Sequence, residues 1–229
     1  MKEYGADRTW PFAEGGGPTL ALATLLWSGV LALWRARPSL ASRLLATVAT
    51  GLWLLVLYFF RDPNRRPVTG EGLVVSAGDG EVVAIEPERE EEFLKCEAVR
   101  ISVFLSILDV HVQRAPISGT VTMVEHRPGK FLQAFRPEAS TENEFIAMNI
   151  ETANGDVLVK QIAGIMARRC VNYTRPAQQI AIGQRIGLIR FGSRVDVFLP
   201  PDAEILTTVG DHVRGGVTPM ARLSGGGLR

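Results

Sequence analysis

The chain is poor in the side chains from which metal sites and redox sites are usually built. Three histidines, His111, His126 and His212, and two cysteines, Cys96 and Cys170, are all that its 229 residues contain. No two histidines stand at i, i+2 or i, i+4, so no zinc site of that spacing can be drawn, and no metal is expected. Two cysteines are too few for a disulfide framework; they are expected to be reduced and structural, as in a domain on the cytosolic side of a membrane. A basic excess is also missing. Lys and Arg total 25 against 24 Asp and Glu, for a formal net charge of +1, which argues against a nucleic-acid partner. Walker loops, Rossmann glycine patterns and G-x-S-x-G elbows do not occur. His126, ahead of RPGK, and His212, in GDHVRGG, stand in turn-like settings and read as ordinary histidines.

What is present is concentrated apolar sequence near the start. No charge falls between residues 15 and 34, and the periodic part, PTLALATLLWSGVLALW, opens on Pro18, a good first helical position. After RARPSLASR comes a second uncharged run over 44–60. Each run spans 17 residues. As helix that is about 25 Å, just short of the ~30 Å hydrocarbon core. Aromatic residues mark the runs: Trp34, Tyr58, Phe59 and Phe60 at their ends, as at a membrane interface, and Trp27 and Trp53 near their middles. Acidic Glu3, Asp7 and Glu14 precede the first run, and a second run follows, which is not the pattern of a cleaved signal. Arg35, Arg37 and Arg43 lie between the runs; Arg61, Arg65 and Arg66 follow the second. The positive-inside count is therefore a tie, and both a two-pass hairpin and a partly inserted one stay open. Either way the expectation is a membrane anchor over residues 1–66, closed by the breaker-rich linker RDPNRRP.

Beyond the linker the pattern changes to short β-like runs punctuated by Gly, Pro and Asp, at 73–75, 81–85, 99–105, 119–124, 145–150, 157–162, 185–189, 195–199 and 204–206. The last two long ones, on either side of Gly192-Ser193, look like halves of one strand. A short helix is expected at 164–173, and another at 88–97 remains open, although its REEE run is more often a solvated face. GDGEVVAIE (78–86) and ISGTVTMVE (117–125) share a Gly-x-Val frame, and such glycine turns resemble those of the barrel-sandwich folds of biotinyl and lipoyl carriers. The fold expected is mainly β: a barrel-sandwich hybrid-like β domain over 67–229 with few short helices, preceded by an N-terminal hydrophobic helical hairpin. About 160 residues suffice to bury an independent core.

In FLSILDVHVQRAPISG (104–119), Asp109 and His111 are two residues apart, which on a strand puts both on one face. Alone, that pair is modest support for chemistry. Together with SAGDGEV (76–82), ENEFIAMNI (142–150) and RFGSRVDVFLP (190–200), in that order, it resembles the short bacterial form of phosphatidylserine decarboxylase over roughly residues 60–222.

The resemblance implies a zymogen that cuts itself between Gly192 and Ser193, leaving a β chain of 1–192 and an α chain of 193–229 that form a heterodimer. Glycine suits such a bond because, without Cβ, it tolerates strain and close approach. Ser193 would become a pyruvoyl group, the covalent cofactor, which takes the amine of a phospholipid substrate as a Schiff base and serves as electron sink for loss of CO₂. The products would be phosphatidylethanolamine and CO₂, in phospholipid biosynthesis. His111 matches the family's proton-transfer histidine, and Asp79 matches its self-cleavage aspartate. Arg114 stands where longer bacterial members carry a second histidine, and arginine is no base. The self-cleavage base is thus open: His111 oriented by Asp79 could serve both steps, and Arg114 could bind the substrate carboxylate or phosphate. Residence at the cell membrane with the catalytic domain on the cytoplasmic side follows, and a higher oligomer is left open. The alternative, a membrane-tethered lipoyl- or biotinyl-like domain acting as a carrier or scaffold, needs a hairpin lysine beside methionine. Of the four lysines, Lys95, Lys130 and Lys160 lack that neighbour, and Lys2, which follows Met1, stands ahead of the apolar runs rather than between β-like runs.

Overall fold

A computed structural model describes residues 9–133, 138–164, 170–190 and 193–224. The described residues divide into two compact units, one ending at Pro63 and one beginning at Asn64.

The first unit is a helical hairpin. Helix α1 (Gly17–Ala36) has proline in its first turn, and α2 (Leu40–Phe59) starts at Ser39, whose hydroxyl accepts from Ser42 N at 3.1 Å while Ser42 Oγ accepts from Ser39 N at 2.9 Å. This reciprocal cap satisfies donors a helix start otherwise leaves unpaired. Each helix has 20 residues, longer than the uncharged runs because Gly17, Arg35 and Ala36 join the first, and residues 40–43 join the second, which ends one residue before Phe60. About 30 Å of helix matches the hydrocarbon thickness. Trp27 and Trp53 stack at 4.2 Å, and their indole N–H groups donate to Thr50 and Thr24 across the pair. Leu22, Leu25, Leu26, Leu44 and Leu52 remain exposed on the outside. Both helices are long and apolar enough to cross a membrane, and scarcely any of either is buried. Helices of a soluble core would have those leucines covered.

The second unit is mainly β. In chain order its strands are β1 (Leu73–Val75), β2 (Gly80–Glu90), β3 (Cys96–Leu105), β4 (Val112–Arg114), β5 (Gly119–Arg127), β6 (Phe145–Thr152) and β7 (Gly155–Ala163). There follow β8 (Cys170–Asn172), β9 (Gln178–Ile180), β10 (Arg185–Ile189), β11 (Ser193–Leu199), β12 (Glu204–Ile205), β13 (His212–Val213) and β14 (Pro219–Arg222). The one short helix here among the described residues, α3, is Ala139–Glu142. Eight strands form an antiparallel sheet in the order β13-β2-β3-β11-β7-β6-β5-β9, and two three-stranded sheets, β1-β14-β12 and β4-β10-β8, complete the unit.

Strand β11 is central and buried throughout. Its alternate residues Val195, Val197 and Leu199 enter the main core with Ile101, Val103, Leu105 and Val159. Phe198 faces the other way, into a smaller cluster with Phe145, Leu158 and Ile162. By the two-residue period Ser193 belongs to the main-core side, and Arg194 and Asp196 to the other.

The repeated Gly-x-Val frame has a structural counterpart. An added Cβ would lie 2.0 Å from Phe104 O at Gly80 and 2.4 Å from Glu151 O at Gly119. Both strands then shift register after the valine, at Val82/Ala84 and Val121/Met123. Glycine lets each strand begin hard against its neighbour, and the bulge then bends it.

Three expectations change. The apolar runs around Gly192-Ser193 are not one strand: β10 and β11 belong to different sheets, the chain changing layer between them as at a sandwich corner. In the segment expected as a helix at 164–173, residues 170–172 form β8, held by pairing with β10; residues 165–169 lie outside the described residues. The 88–97 segment is likewise the end of β2, a turn and the start of β3. The Glu90 carboxylate closes that turn by accepting from Phe93 N at 2.7 Å and Leu94 N at 2.8 Å.

Candidate active site

Ser193 opens β11, with Leu105 of β3 opposite it on one side and Ala163 of β7 on the other. It is fully buried, and its Oγ has no hydrogen-bond partner among the described residues. Leaving a buried hydroxyl unbonded costs about 1–3 kcal/mol, which makes it a marked position in a folded interior. Gly192 lies outside the described residues.

His111 is also fully buried. Its carbonyl accepts from Ile189 N, the last residue of β10, at 3.3 Å. Ser193 follows Ile189 by four residues in the chain. Asp109 and His111 are not on a strand, since β4 begins at Val112 and Asp109 belongs to a turn. The expected carboxylate–imidazole arrangement is therefore replaced by another. The Asp109 carboxylate accepts from Ser106 N at 2.8 Å and Ser106 Oγ at 2.7 Å, while His111 Nδ1 is 3.0 Å from the Asp109 carbonyl. A carbonyl only accepts, so Nδ1 carries the proton and the neutral ring has its lone pair on Nε2.

Behind the imidazole is a pair of buried glutamines that the sequence did not point to. Gln113 Nε2 donates to His111 O at 2.7 Å, and Gln161 Nε2 donates to Gln113 Oε1 at 3.0 Å. Gly187 makes room for them, since an added Cβ there would lie 2.3 Å from Gln161 Nε2.

Asp79 sits on the 76–80 loop, which packs over the same strand ends. A Cβ on Gly78 would touch Leu105 and Val195. Asp79 does not orient His111. Its carboxylate is gripped by Arg65, Nη1 to Oδ1 at 2.5 Å and Nη2 to Oδ2 at 2.7 Å, and accepts from Gly215 N at 2.8 Å. Neither partner was legible beforehand, because Gly215 is 136 residues away from Asp79.

Arg114, 3% exposed, donates its backbone N–H to Ala77 O at 2.8 Å and Nη1 to Gly183 O at 3.1 Å. Together with Arg65 and Arg185 it lines a small cavity of about 60 Å³. A larger hollow of about 330 Å³, lined in part by Thr69, Glu71, Ile117 and Asn154, lies toward the Thr152 end of β6, away from Ser193. Among the described residues no group of three His, Cys, Asp or Glu is placed to hold a metal ion. Cys96 is exposed and Cys170 buried, both as free thiols. Burial, with Glu144 nearby, pushes the Cys170 thiol far above its usual range.

The fold and site define a class: a β-sheet unit, following an apolar helical hairpin, whose reactive candidate is a buried serine at the head of a central strand, in a unit that also buries an imidazole bonded through Nδ1. The comparisons with known proteins make this specific. A family model for phosphatidylserine decarboxylase matches residues 52–221. A phosphatidylserine decarboxylase proenzyme of Parabacteroides distasonis is 46% identical over 214 residues, covering 92% of this chain and 97% of its own. Proenzymes of the same name from Streptomyces avermitilis (44%; 92% and 93% covered) and Symbiobacterium thermophilum (41%; 95% and 95%) are similar throughout. The chain belongs to the phosphatidylserine decarboxylase family.

Proposed function

We propose that this protein converts phosphatidylserine to phosphatidylethanolamine at a membrane surface, using a carbonyl group made from its own Ser193. The observation that carries the reading is the buried Ser193 Oγ, at the head of the central strand, which has no hydrogen-bond partner among the described residues.

In the first stage the chain acts on itself. Ser193 Oγ gives up its proton and adds to the Gly192 carbonyl carbon. The Gly192–Ser193 C–N bond then breaks, leaving an ester and a free amine. Loss of the Ser193 α-proton eliminates the Gly192 carboxylate and leaves a dehydroalanine, and water replaces its nitrogen, releasing ammonia. The new α-chain terminus is a pyruvoyl group. Pairing of Ser193 to Leu105 and Ala163 holds that terminus between β3 and β7 after the cut. The dry surroundings suit elimination and keep stray water from the carbonyl.

Once formed, the pyruvoyl group supplies an electrophilic carbonyl that binds the substrate amine and accepts the electrons released with CO₂. We assign the proton delivered to the carbon that loses CO₂ to His111 Nε2. The Asp109 carbonyl fixes which nitrogen is available, and the glutamine pair fixes where the His111 backbone lies. With Arg114 incapable of acting as a base, we assign the first proton removal, from Ser193 Oγ, to His111 as well. Asp79 supports self-cleavage indirectly, by tying its loop to Arg65 and Gly215 against Leu105 and Val195. Arg114 contributes to the substrate-anion side of the site. The helical hairpin, with the linker to residue 66, anchors residues 67–229 at the cytoplasmic face, where Arg61, Arg65 and Arg66 follow α2 in the sequence.

The test is a denaturing gel with mass spectrometry of the purified protein. Wild type is expected as two chains, 1–192 and 193–229, the smaller with a blocked N-terminus, and Ser193→Ala as one uncut, inactive chain. A wild-type protein that stays whole yet decarboxylates phosphatidylserine would overturn the mechanism.

A further inference from the structure

Both flanks of Ser193 carry exposed apolar side chains, one on the turn that follows β3 and one on a segment bonded to the end of β7. Leu105, its neighbour in β3, is followed by a turn over 106–109. Asp109 N donates to Ser106 O at 3.0 Å, and the Asp109 carboxylate takes both Ser106 N and Ser106 Oγ, so the turn is clasped twice. Its two central residues are Ile107 and Leu108, 43% and 57% exposed. Turn centres are normally Asn, Asp, Gly, Ser or Pro, for reasons of local conformation and hydration. Two large aliphatic side chains on a rigid turn are there for some other contact.

On the other flank, Ala163 of β7 pairs with Ser193, and the Ala163 carbonyl accepts from Asn143 Nδ2 at 2.7 Å. Asn143, 1% exposed, also clamps Leu132, donating to its carbonyl at 2.9 Å and accepting from its N–H at 2.8 Å. Adjacent Phe131 is 38% exposed. A second apolar tip is therefore pinned to the end of the sheet that holds Ser193. At the opposite end, the described turns at 153–154 and 200–203 expose no large apolar side chain.

We infer that Ile107, Leu108 and Phe131 form a rim that enters the headgroup–acyl boundary of the bilayer and seats the Ser193 end of the sheet on the lipid surface. The occupant is the bilayer itself, because the substrate proposed above is a lipid whose headgroup must reach a buried strand end without its chains leaving the membrane. Aliphatic and aromatic tips of this kind sit about 5–10 Å into the boundary. The 106–109 turn has a second consequence, since it also supplies the carbonyl bonded to His111 Nδ1. Seating the rim and positioning the imidazole thus involve one rigid piece of chain.

The inference rests on the proposed decarboxylation, and the experiment separates the two. Full-length, matured wild type and an Ile107→Ser/Leu108→Ser variant are assayed on phosphatidylserine in phosphatidylcholine vesicles and on a short-chain phosphatidylserine dissolved as monomers. Both tips are exposed, so the variant is expected to fold and cut itself normally and to match wild type on the soluble lipid. On vesicles, where the hairpin still anchors the chain, its rate is expected to fall about tenfold, from poorer seating of the Ser193 end once two aliphatic side chains no longer enter the boundary. Equal rates on vesicles, or equal losses on both substrates, overturn the rim while leaving the activity in place. A wild type inactive on both substrates overturns the parent reading, and the rim with it. Independently, a fluorophore at Leu108→Cys in a Cys96→Ser background is expected to be quenched by spin-labelled lipid in the vesicles, and one at Ala153→Cys is not. Buried Cys170 does not compete for label. Equal quenching at the two positions, or none at Leu108, also overturns the rim.

Discussion

Asp196→Asn removes one charge three residues beyond Ser193, on the side of β11 away from the main core. Asp196 is fully buried, and its two oxygens accept from Arg194 Nε at 2.6 Å and Nη2 at 2.9 Å. Arg194 Nη2 also reaches Ser102 Oγ at 3.1 Å, which is shared with Arg100 Nη1 at 2.6 Å. Arg100 in turn bonds Glu88 and Glu86, and lies 4.0 Å from Asp196. Burial works against the Arg100 charge, but Asp196, Glu88 and Glu86 outweigh it and hold its pKa above the usual value. Asparagine keeps the shape of the carboxylate and loses its charge among two buried guanidinium groups. Breaking a buried pair on one side costs about 3–5 kcal/mol. For a unit of this size each kcal/mol lowers Tm by about 2–4 °C, so a fall near 10 °C is expected. All four tryptophans precede residue 64, so the assay is the β-band circular dichroism of the full chain in detergent rather than tryptophan emission. The loss should be larger in matured protein than in the Ser193→Ala precursor, because cleavage frees β11 from its covalent link to β10 and leaves pairing and this network to hold it. Replacing both partners, Arg194→Met with Asp196→Leu, should recover much of the loss. A fall under 2 °C for Asp196→Asn, or a double variant no better than the single, would refute the reasoning.

Two further substitutions test neighbouring claims. Burial alone would raise the Glu90 pKa, but Lys160 Nζ at 2.8 Å and the N–H groups of Phe93 and Leu94 hold it below its ordinary value. Its contribution to stability is therefore complete above the ordinary carboxylate range and is lost as pH falls through the depressed folded value. Glu90→Gln should lower Tm at neutral pH by the equivalent of about 3 kcal/mol, softened by the phenyl rings around Lys160, and the gap to wild type should close in acid. A gap independent of pH would count against the pair. Asp109→Ala opens the 106–109 turn while leaving the His111 side chain intact. Loss of two accepted bonds should cost about 1–2 kcal/mol, and kcat on soluble lipid should fall about tenfold or more as the imidazole loses its fixed place, with KM little changed. Unaltered kcat would show that the turn does not position His111.

Much of the architecture was legible in residue patterns. Two uncharged runs with end aromatics gave α1 and α2, because a helix with apolar residues all round has few other uses. Short apolar runs bounded by Gly, Pro and Asp located nine strands, including β10 at 185–189, since a buried strand is an unbroken or nearly unbroken apolar run between turn residues. Five short strands, β4, β8, β9, β13 and β14, went unseen. Unlike the apolar triplet Leu73–Val75, their two to four residues mix polar with apolar side chains, and those strands exist only because a partner is there to pair with them. The same limit explains the 164–173 reading, where pairing to β10 overrides local preference at 170–172.

For the site, the sequence by itself determined which side chains could do chemistry. One Asp-x-His, one Gly-Ser between apolar runs and an arginine in a histidine's place reduced the choices to a few residues, because so few reactive groups were available. Only the tertiary structure decided which groups they are bonded to. Asp109 clasps a turn through its carboxylate and meets His111 through its carbonyl, Asp79 is claimed by Arg65 and Gly215, and Gln113 finds Gln161 across 48 residues. Period and spacing describe where a side chain leaves its own segment of backbone. Which group it meets depends on distant strands brought alongside by the sheet, and that is set by the energy of the whole packed unit.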